Sequence, residues 1–502
     1  METIRLYTWI GFVIFVIVMI GIGFVSGGKT KSISDFAIGG GKLGPYLLGL
    51  SFAATYLSAA TFLGYVGWSH EWGYANLWLF LAIIGGGPIG VLMVAKRARA
   101  INTTQKSLSL PDWLGDFYKS DILRTGSAFI LLFNIFYIAS QFAAGALVFE
   151  YLLGMSYDTG LIVIAATLIC YVFAGGALAD VYTDAIQAIL MALAGIVVFL
   201  SGIIHFWKGS VHGTFANITE NLAAQDQALT QVFNSHSAYF HSVPAIVGAI
   251  IIQCAFASSP QLFNKVIGLK KEKDVGKMIV VYVITASLCL IVLFGGVYSR
   301  AALGDTVHTT DLALMEYAVY LFSPLIAALM GIVILAAAMS TTDGIFVAIS
   351  TVFANDIFLK VLVKRKLVKA DTATAERIAL RIGRISVVVI GFIAYLIVKQ
   401  PPKYLGDVLW IGVSGVAAGT VGPILYAVYA KKQAAPRAAE LSMGFGLFSY
   451  LLLYFSGMEK STMAAGAWAT LIGIGTMFLF AKTLTLPKQA AANQIAAKMK
   501  IK

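Results

Sequence analysis

The sequence predicts an all-α integral membrane protein. Apolar residues make up 59% of the 502 and charged residues only 12%. Mean hydropathy is +0.84, more than a soluble core needs along a whole chain. Apolar runs of about twenty residues, each long enough to cross a bilayer as a helix, recur from one end to the other. Basic residues gather in alternate connections, as they do where a chain crosses a membrane repeatedly.

Thirteen spans are expected, near 7–26, 45–67, 73–95, 124–153, 158–178, 183–207, 244–266, 278–299, 314–352, 382–398, 404–430, 439–457 and 461–481. The first begins at residue 7 with little basic charge before it and no small-residue cleavage site, so it reads as a retained span. The second, GLSFAATYLSAATFLG at 49–64, sets Thr55, Ser58 and Thr61 among small residues. The seventh, QCAFASSPQLFNK at 253–265, holds Ser258, Ser259 and Pro260. Such sequences free backbone carbonyls, and irregular backbone survives at membrane depth only where it lines a cavity. Both spans are therefore expected to be broken helices. Their separation by five spans suits two inverted five-helix repeats, about 45–207 and 244–430, with accessory spans at 439–457 and 461–481 and a tail at 482–502. The chain reads as one transmembrane domain. The segment 208–243 is polar and carries the sequon Asn217-Ile218-Thr219.

An odd span count puts the termini on opposite faces. One face collects Lys29, Lys31, Lys42, Lys96, Arg97, Arg99, Lys270, Lys271 and Lys273. It also takes Lys360, Lys364, Arg365, Lys366, Lys369, Lys431, Lys432, Arg437 and the tail lysines. The other has only Arg5, Lys208, Arg300, Lys399, Lys403 and Lys460. By the positive-inside rule the N-terminus is expected outside and the C-terminus inside. The net charge of +12 thus reads as topology and attraction to anionic lipid, not nucleic-acid binding. Cys170, Cys254 and Cys289 fall within spans and make neither a disulfide framework nor a metal spacing. His70, His205, His212, His236, His241 and His308 are expected on or near the outer face as solvated loop histidines. No nucleophile–base pair or metal spacing appears, and the GGG runs at 39–41 and 85–87 lack the Lys-Ser/Thr of a phosphate loop, which argues against an enzyme.

The ninth span carries AAAMSTTDG at 336–344, a polar island with no Lys or Arg within fifteen residues on either side. A carboxylate at the centre of a membrane helix costs roughly 2.5–3.5 kcal/mol on insertion scales. Hydroxyls beside a carboxylate suit a small hard cation, whose water shell oxygen ligands replace. Ala337, Ser340 and Thr341, at i, i+3 and i+4, share one helix face.

Four motifs in order give the chain a resemblance over roughly 7–485 to the sodium:solute symporter family, whose members take proline, pantothenate, sugars, sialic acid and monocarboxylates. They are SDFAIGGGKLG at 34–44, GGALADVYTDAIQ at 175–187, SPQLFNK at 259–265, and AAAMSTT at 336–342 followed by VFANDIF at 352–358. The resemblance implies the leucine-transporter-type fold, with thirteen transmembrane helices, a 5+5 inverted-repeat core and alternating access. It also implies a sodium site built from carbonyls of Ala54 and Leu57 with Ala337, Ser340 and Thr341.

Family members with a second sodium site carry an Asp where this chain has Asp184, beside Thr183, facing hydroxyls one turn below the first site. This chain departs by placing Asp343 and Gly344 there. Asp184, Asp343 and Thr183 are therefore the candidate second cation site, with Asp184 as partner of Asp343, or a protonatable pair. Asp184 as a capping carboxylate stays open, and Asp180 is left without a partner. By family position the cavity lining is Tyr56, Ser58, Thr61, Gln141, Gln253 and Phe256. Tyr56 replaces an acidic residue of the proline-type branch. Packing for Phe256 and an interhelical hydrogen bond for Gln141 also stay open. No Lys or Arg is placed in a span interior, Lys265 being set at the exit of the seventh. The stretch ASQFAAGALVFEYLLG at 139–154 looks most like the pantothenate and monocarboxylate branch.

The resulting expectation is a sodium-coupled secondary active symporter of the cell membrane, importing a small organic solute, with a monocarboxylate or pantothenate-like molecule favoured. Proton coupling, an amino-acid or sugar substrate, and an uncoupled facilitator or sensor are the alternatives. A potential of 100 mV supplies roughly 2.3 kcal/mol per charge and a tenfold sodium gradient about 1.4. One sodium with a neutral solute thus supplies about 3.7 kcal/mol, whereas a monoanion leaves about 1.4 and makes two ions attractive.

Overall fold

The computed structural model describes residues 1–27, 32–174, 177–369, 371–430 and 432–484. Lys29, Lys31, Gly175, Lys431 and the tail beyond 484 lie outside the described residues. The described regular structure is helical, with one isolated parallel bridge between Leu43 and Leu269. Among the described residues, ten helices are long and apolar enough to cross a membrane, and a pair bent by 46°, Val243–Phe256 with Pro260–Gly268, makes an eleventh.

The difference from thirteen has local causes. The second expected span is not one helix. Pro45–Tyr56 ends where Leu57 (φ −100°, ψ 116°) turns extended, and the chain resumes as Ala59–Phe62 and Gly64–Trp72. The fifth is the short apolar helix Tyr157–Cys170. The expected ninth also divides, without lowering the count. Ala313–Leu321 stops at extended Phe322, and Pro324 opens the long helix Pro324–Thr351, where its missing N–H costs nothing. Every residue from 330 to 351 of that helix is buried. This helix is the axis of the core.

The connections are tied to one another by two sets of contacts. At one end Trp78 Nε1 donates to Val232 O (3.0 Å), Gln225 Nε2 to Arg300 O (2.9 Å) and the Leu405 N–H to Asp311 (2.9 Å). At the other end Tyr118 donates to Pro423 O (2.7 Å), and Arg365 pairs with Asp121 (2.7 Å). The segment 208–243 is more ordered than its polarity suggests. Helix Val211–Ala223 contains the sequon, with Asn217 Nδ2 on Phe206 O (3.2 Å) and Thr219 against the Tyr74 hydroxyl (2.9 Å). His70 is also buried, unlike the other five histidines.

Asp311 sits in the connection Thr310–Leu312, outside the spans, only 2% exposed. Burial pushes its carboxyl up to about 7, opposed by the Leu405 N–H and aided by Asp407. Its folded pKa is thus raised above the unfolded value, so the native state holds its proton longer. Stability therefore falls as pH rises from about 4 to about 7. Asp311→Asn keeps an acceptor for Leu405 and is expected to flatten that pH dependence. Thermal unfolding across this pH range checks it. An unchanged slope would remove Asp311 from the account.

Candidate ion and solute site

The break at Leu57 decides the chemistry here. A helix that stops at Tyr56 leaves its last carbonyls without partners in the helix. Ala53 O takes the Leu57 N–H (2.9 Å). Ala54 O and Thr55 O are met from the long helix, by Ser340 Oγ at 3.1 Å and Thr341 Oγ1 at 3.4 Å. Ser340 Oγ is also 3.0 Å from Ala337 O. One hydroxyl proton serves one acceptor well, so these carbonyls share too few donors. The carbonyls of Ala54, Thr55 and Ala337 and the hydroxyls of Ser340 and Thr341 thus converge in a buried site, where all five residues are 0% exposed, as is Leu57. The Tyr137 hydroxyl faces the side chains of Ser58 and Thr341.

One turn towards the basic end lies a charged cluster. Lys265 Nζ donates to Asp180 Oδ2 (2.6 Å), Asp184 Oδ2 (2.7 Å) and Ser51 Oγ (2.7 Å). Ser51 and Thr55 hydroxyls donate to the same Asp184 oxygen at 2.8 and 3.0 Å. Carboxylate oxygens of Asp180, Asp184 and Asp343 lie within 4.8 Å of one another. Asp343 Oδ1 takes the Gly344 N–H (2.9 Å). No N–H or hydroxyl reaches Asp343 Oδ2, Asp180 Oδ1 or Asp184 Oδ1, all buried. Gly344 lets the long helix come close. A Cβ there would stand 3.3 Å from Thr55 Cγ2 and 3.5 Å from Asp180 Oδ1. A cavity of ≈ 20 Å³, lined by Asp180, Gln261, Asn264, Lys265 and Gly344 among others, opens beside the cluster.

Several expectations are refined here. Lys265 is 4% exposed and belongs to the buried interior, because the bend after Phe256 folds Pro260–Gly268 against the core. Asp180 has a partner, Lys265, as does Asp184. Asp184 is therefore held by an ammonium rather than facing Asp343 alone, and it is no helix cap. Thr183 turns its hydroxyl to its own helix, onto Ala179 O (2.9 Å) and Asp180 O (3.1 Å). Sequence reasoning also missed Ser51. Its spacing from Thr55, four residues on one helical face, was the available signal.

The solute candidates are brought together in part. The Tyr56 hydroxyl donates to Gln253 Oε1 (2.7 Å), and its ring lies 4.6 Å from that of Phe256. Gln253 Nε2 is buried without a hydrogen-bond acceptor. Gln141 Oε1 accepts the Ala59 N–H (3.0 Å), capping the resumed helix, and its Nε2 donates to Ser140 (2.9 Å). It thus makes the interhelical hydrogen bond. Ser58 Oγ accepts the Ala60 N–H (3.2 Å), and Thr61 is buried beside it.

A model of the sodium:solute symporter family matches residues 36–443. The sodium/proline symporter of Escherichia coli (strain K12) is 30% identical over 432 residues, covering 83% of this chain and 82% of the relative. The osmoregulated proline transporter OpuE of Bacillus subtilis (strain 168) is 27% identical over 459 residues, covering 89% of each. A solved structure of a Na⁺-coupled sialic acid symporter in a substrate-bound outward-open state shares the fold. Its TM-score is 0.75 at 18% identity, over 96% of this chain and 99% of that one. These relatives carry proline in their names, which overturns the leaning of 139–154 towards the pantothenate and monocarboxylate branch.

Proposed function

Because the chain belongs to the sodium:solute symporter family, we propose that this multi-pass, sodium-coupled symporter imports a small zwitterionic amino acid of the proline class across the cell membrane. The observation that carries the reading is the pair of contacts from Ser340 and Thr341 to the carbonyls freed at Leu57. Those hydroxyls turn their lone pairs to a sodium that also takes the carbonyls of Ala54, Leu57 and Ala337. The ion then ties the broken second span to the long ninth helix. In the proposed cycle sodium enters from outside, where the N-terminus lies. It fixes the break, pre-organises the solute site, and leaves to a low-sodium interior with the solute.

Two features support an amino acid over a monoanion. A zwitterion keeps the full drive of about 3.7 kcal/mol from one sodium at 100 mV and a tenfold gradient. The buried Gln253 Nε2 is an unused donor for a carboxylate, and the Tyr56 and Phe256 rings offer π-faces to an ammonium. Tyr56 stands where the proline-type branch has an acid, so the amine is held by ring faces here and not by a carboxylate at that position. Gln253→Ala is expected to raise the proline concentration for half-maximal uptake roughly tenfold, since a hydrogen bond to a charged group contributes about 1.5–3 kcal/mol. Its sodium dependence should stay unchanged. Competition by unlabelled amino acids, monocarboxylates and sugars tests the class. Inhibition by monocarboxylates alone would reject it.

The buried carboxylates of Asp180, Asp184 and Asp343 favour one second reading, proton coupling on the same fold. Uptake driven by a pH gradient in sodium-free medium would establish it.

A further inference from the structure

Lys265 is the one buried ammonium in a cluster of three carboxylates, and all three of its N–H donors are spent at 2.6–2.7 Å. The oxygens it engages are those a cation at this place would need. Asp184 Oδ2 already accepts from Lys265, Ser51 and Thr55. Ser51 Oγ has given its lone pair to Lys265 and its proton to Asp184. The ammonium comes from Pro260–Gly268, while its partners stand on Ala177–His205 and Pro45–Tyr56. It bridges three elements as a bound ion would, but it is covalently attached and cannot be released with the solute.

Given sodium coupling at Ser340 and Thr341, on which this rests, we propose that Lys265 is a tethered cation filling the second cation position, so that solute is coupled to one sodium only. The residue sets stoichiometry without touching solute. Asp343 gives the arrangement its second consequence. Removing the lysine charge leaves Asp180, Asp184 and Asp343 buried together with no cation. The small cavity lined by Asp180, Gln261 and Asn264 lies beside these carboxylates. A lysine-free protein therefore gains a sodium site rather than merely losing an ion pair.

Equilibrium binding of radioactive sodium to the purified full chain, counted per protein, tests this. The wild type is expected to bind one sodium, Lys265→Arg one, and Lys265→Gln two. Ser340→Ala should weaken the wild-type sodium. Lys265→Gln with Asp180→Asn, which removes one charge of each sign, is the second variant should the single one not fold, with two sodiums again expected. Two sodiums on the wild type, or one on a folded Lys265→Gln protein, would overturn the role of Lys265. No sodium on the wild type would instead end the sodium-coupled reading itself. A reversal potential in proteoliposomes should give one sodium per proline in the wild type, and two would contradict the inference.

Discussion

Replacing Ser340 and Thr341 together by Ala is expected to raise the sodium concentration for half-maximal uptake by roughly a hundredfold, about tenfold for each hydroxyl. In the proposed site each hydroxyl is a ligand to a charged species, an interaction that contributes about 1.5–3 kcal/mol, and 1.4 kcal/mol is a factor of ten. Both residues are 0% exposed, so no water stands ready to replace them at the surface. Each single variant should show part of the effect, and the maximal rate at saturating sodium should recover much of the wild-type value. The variants also lose a hydroxyl-to-carbonyl contact across the break, so folding is controlled by thermal unfolding without sodium. Initial uptake rates over a sodium titration check the prediction. Identical curves for both single variants and the wild type would remove the site.

Arg124→Ala is expected to have the largest effect on stability, about 3 kcal/mol. The Arg124 side chain is 3% exposed and lies between Asp112 (3.6 Å), Asp116 and Asp121 (2.6 Å). Removing it strands Asp112, whose side chain is 1% exposed. Breaking a buried pair from one side costs about 3–5 kcal/mol. The lower end applies because Lys360 Nζ remains 3.4 Å from Asp112 and because Asp121 keeps Arg365. Thermal unfolding in detergent should show a clear loss, recovered in part by Arg124→Lys. An unshifted transition would mean the network contributes nothing net.

Much of the architecture was legible because the bilayer forces it. Runs of about twenty apolar residues have few alternatives to crossing. The small hydroxyl residues at 55–61 and the SSP at 258–260 marked where helices break, since both free backbone groups. The choice of Ala337, Ser340 and Thr341 came from the family resemblance, and helical period agreed by putting them on one face. The charged cluster was harder to read. Lys265 ends a motif and looks like an exit residue in sequence, because SSP marks the break but nothing local gives the direction of the 46° bend that turns it inward. Asp180 looked unpartnered for the same reason. Its partner lies 85 residues away on a different helix, and pairings at that range leave no periodic trace. The substrate leaning failed for another cause. The stretch at 139–154 is largely packing. Gln141 in it accepts the Ala59 N–H across the break in the second span, so part of its likeness to one branch reflects packing between helices.

The central claim is that a sodium gradient drives solute through a site shared by the broken second span and the ninth helix. Accumulation of labelled proline by proteoliposomes, under an imposed sodium gradient or an imposed pH gradient, tests it most directly. The account predicts uphill accumulation with the sodium gradient, enhanced by an inside-negative potential, and none with the pH gradient alone. Accumulation driven by the pH gradient in sodium-free medium, or equilibration without accumulation under either gradient, would contradict it.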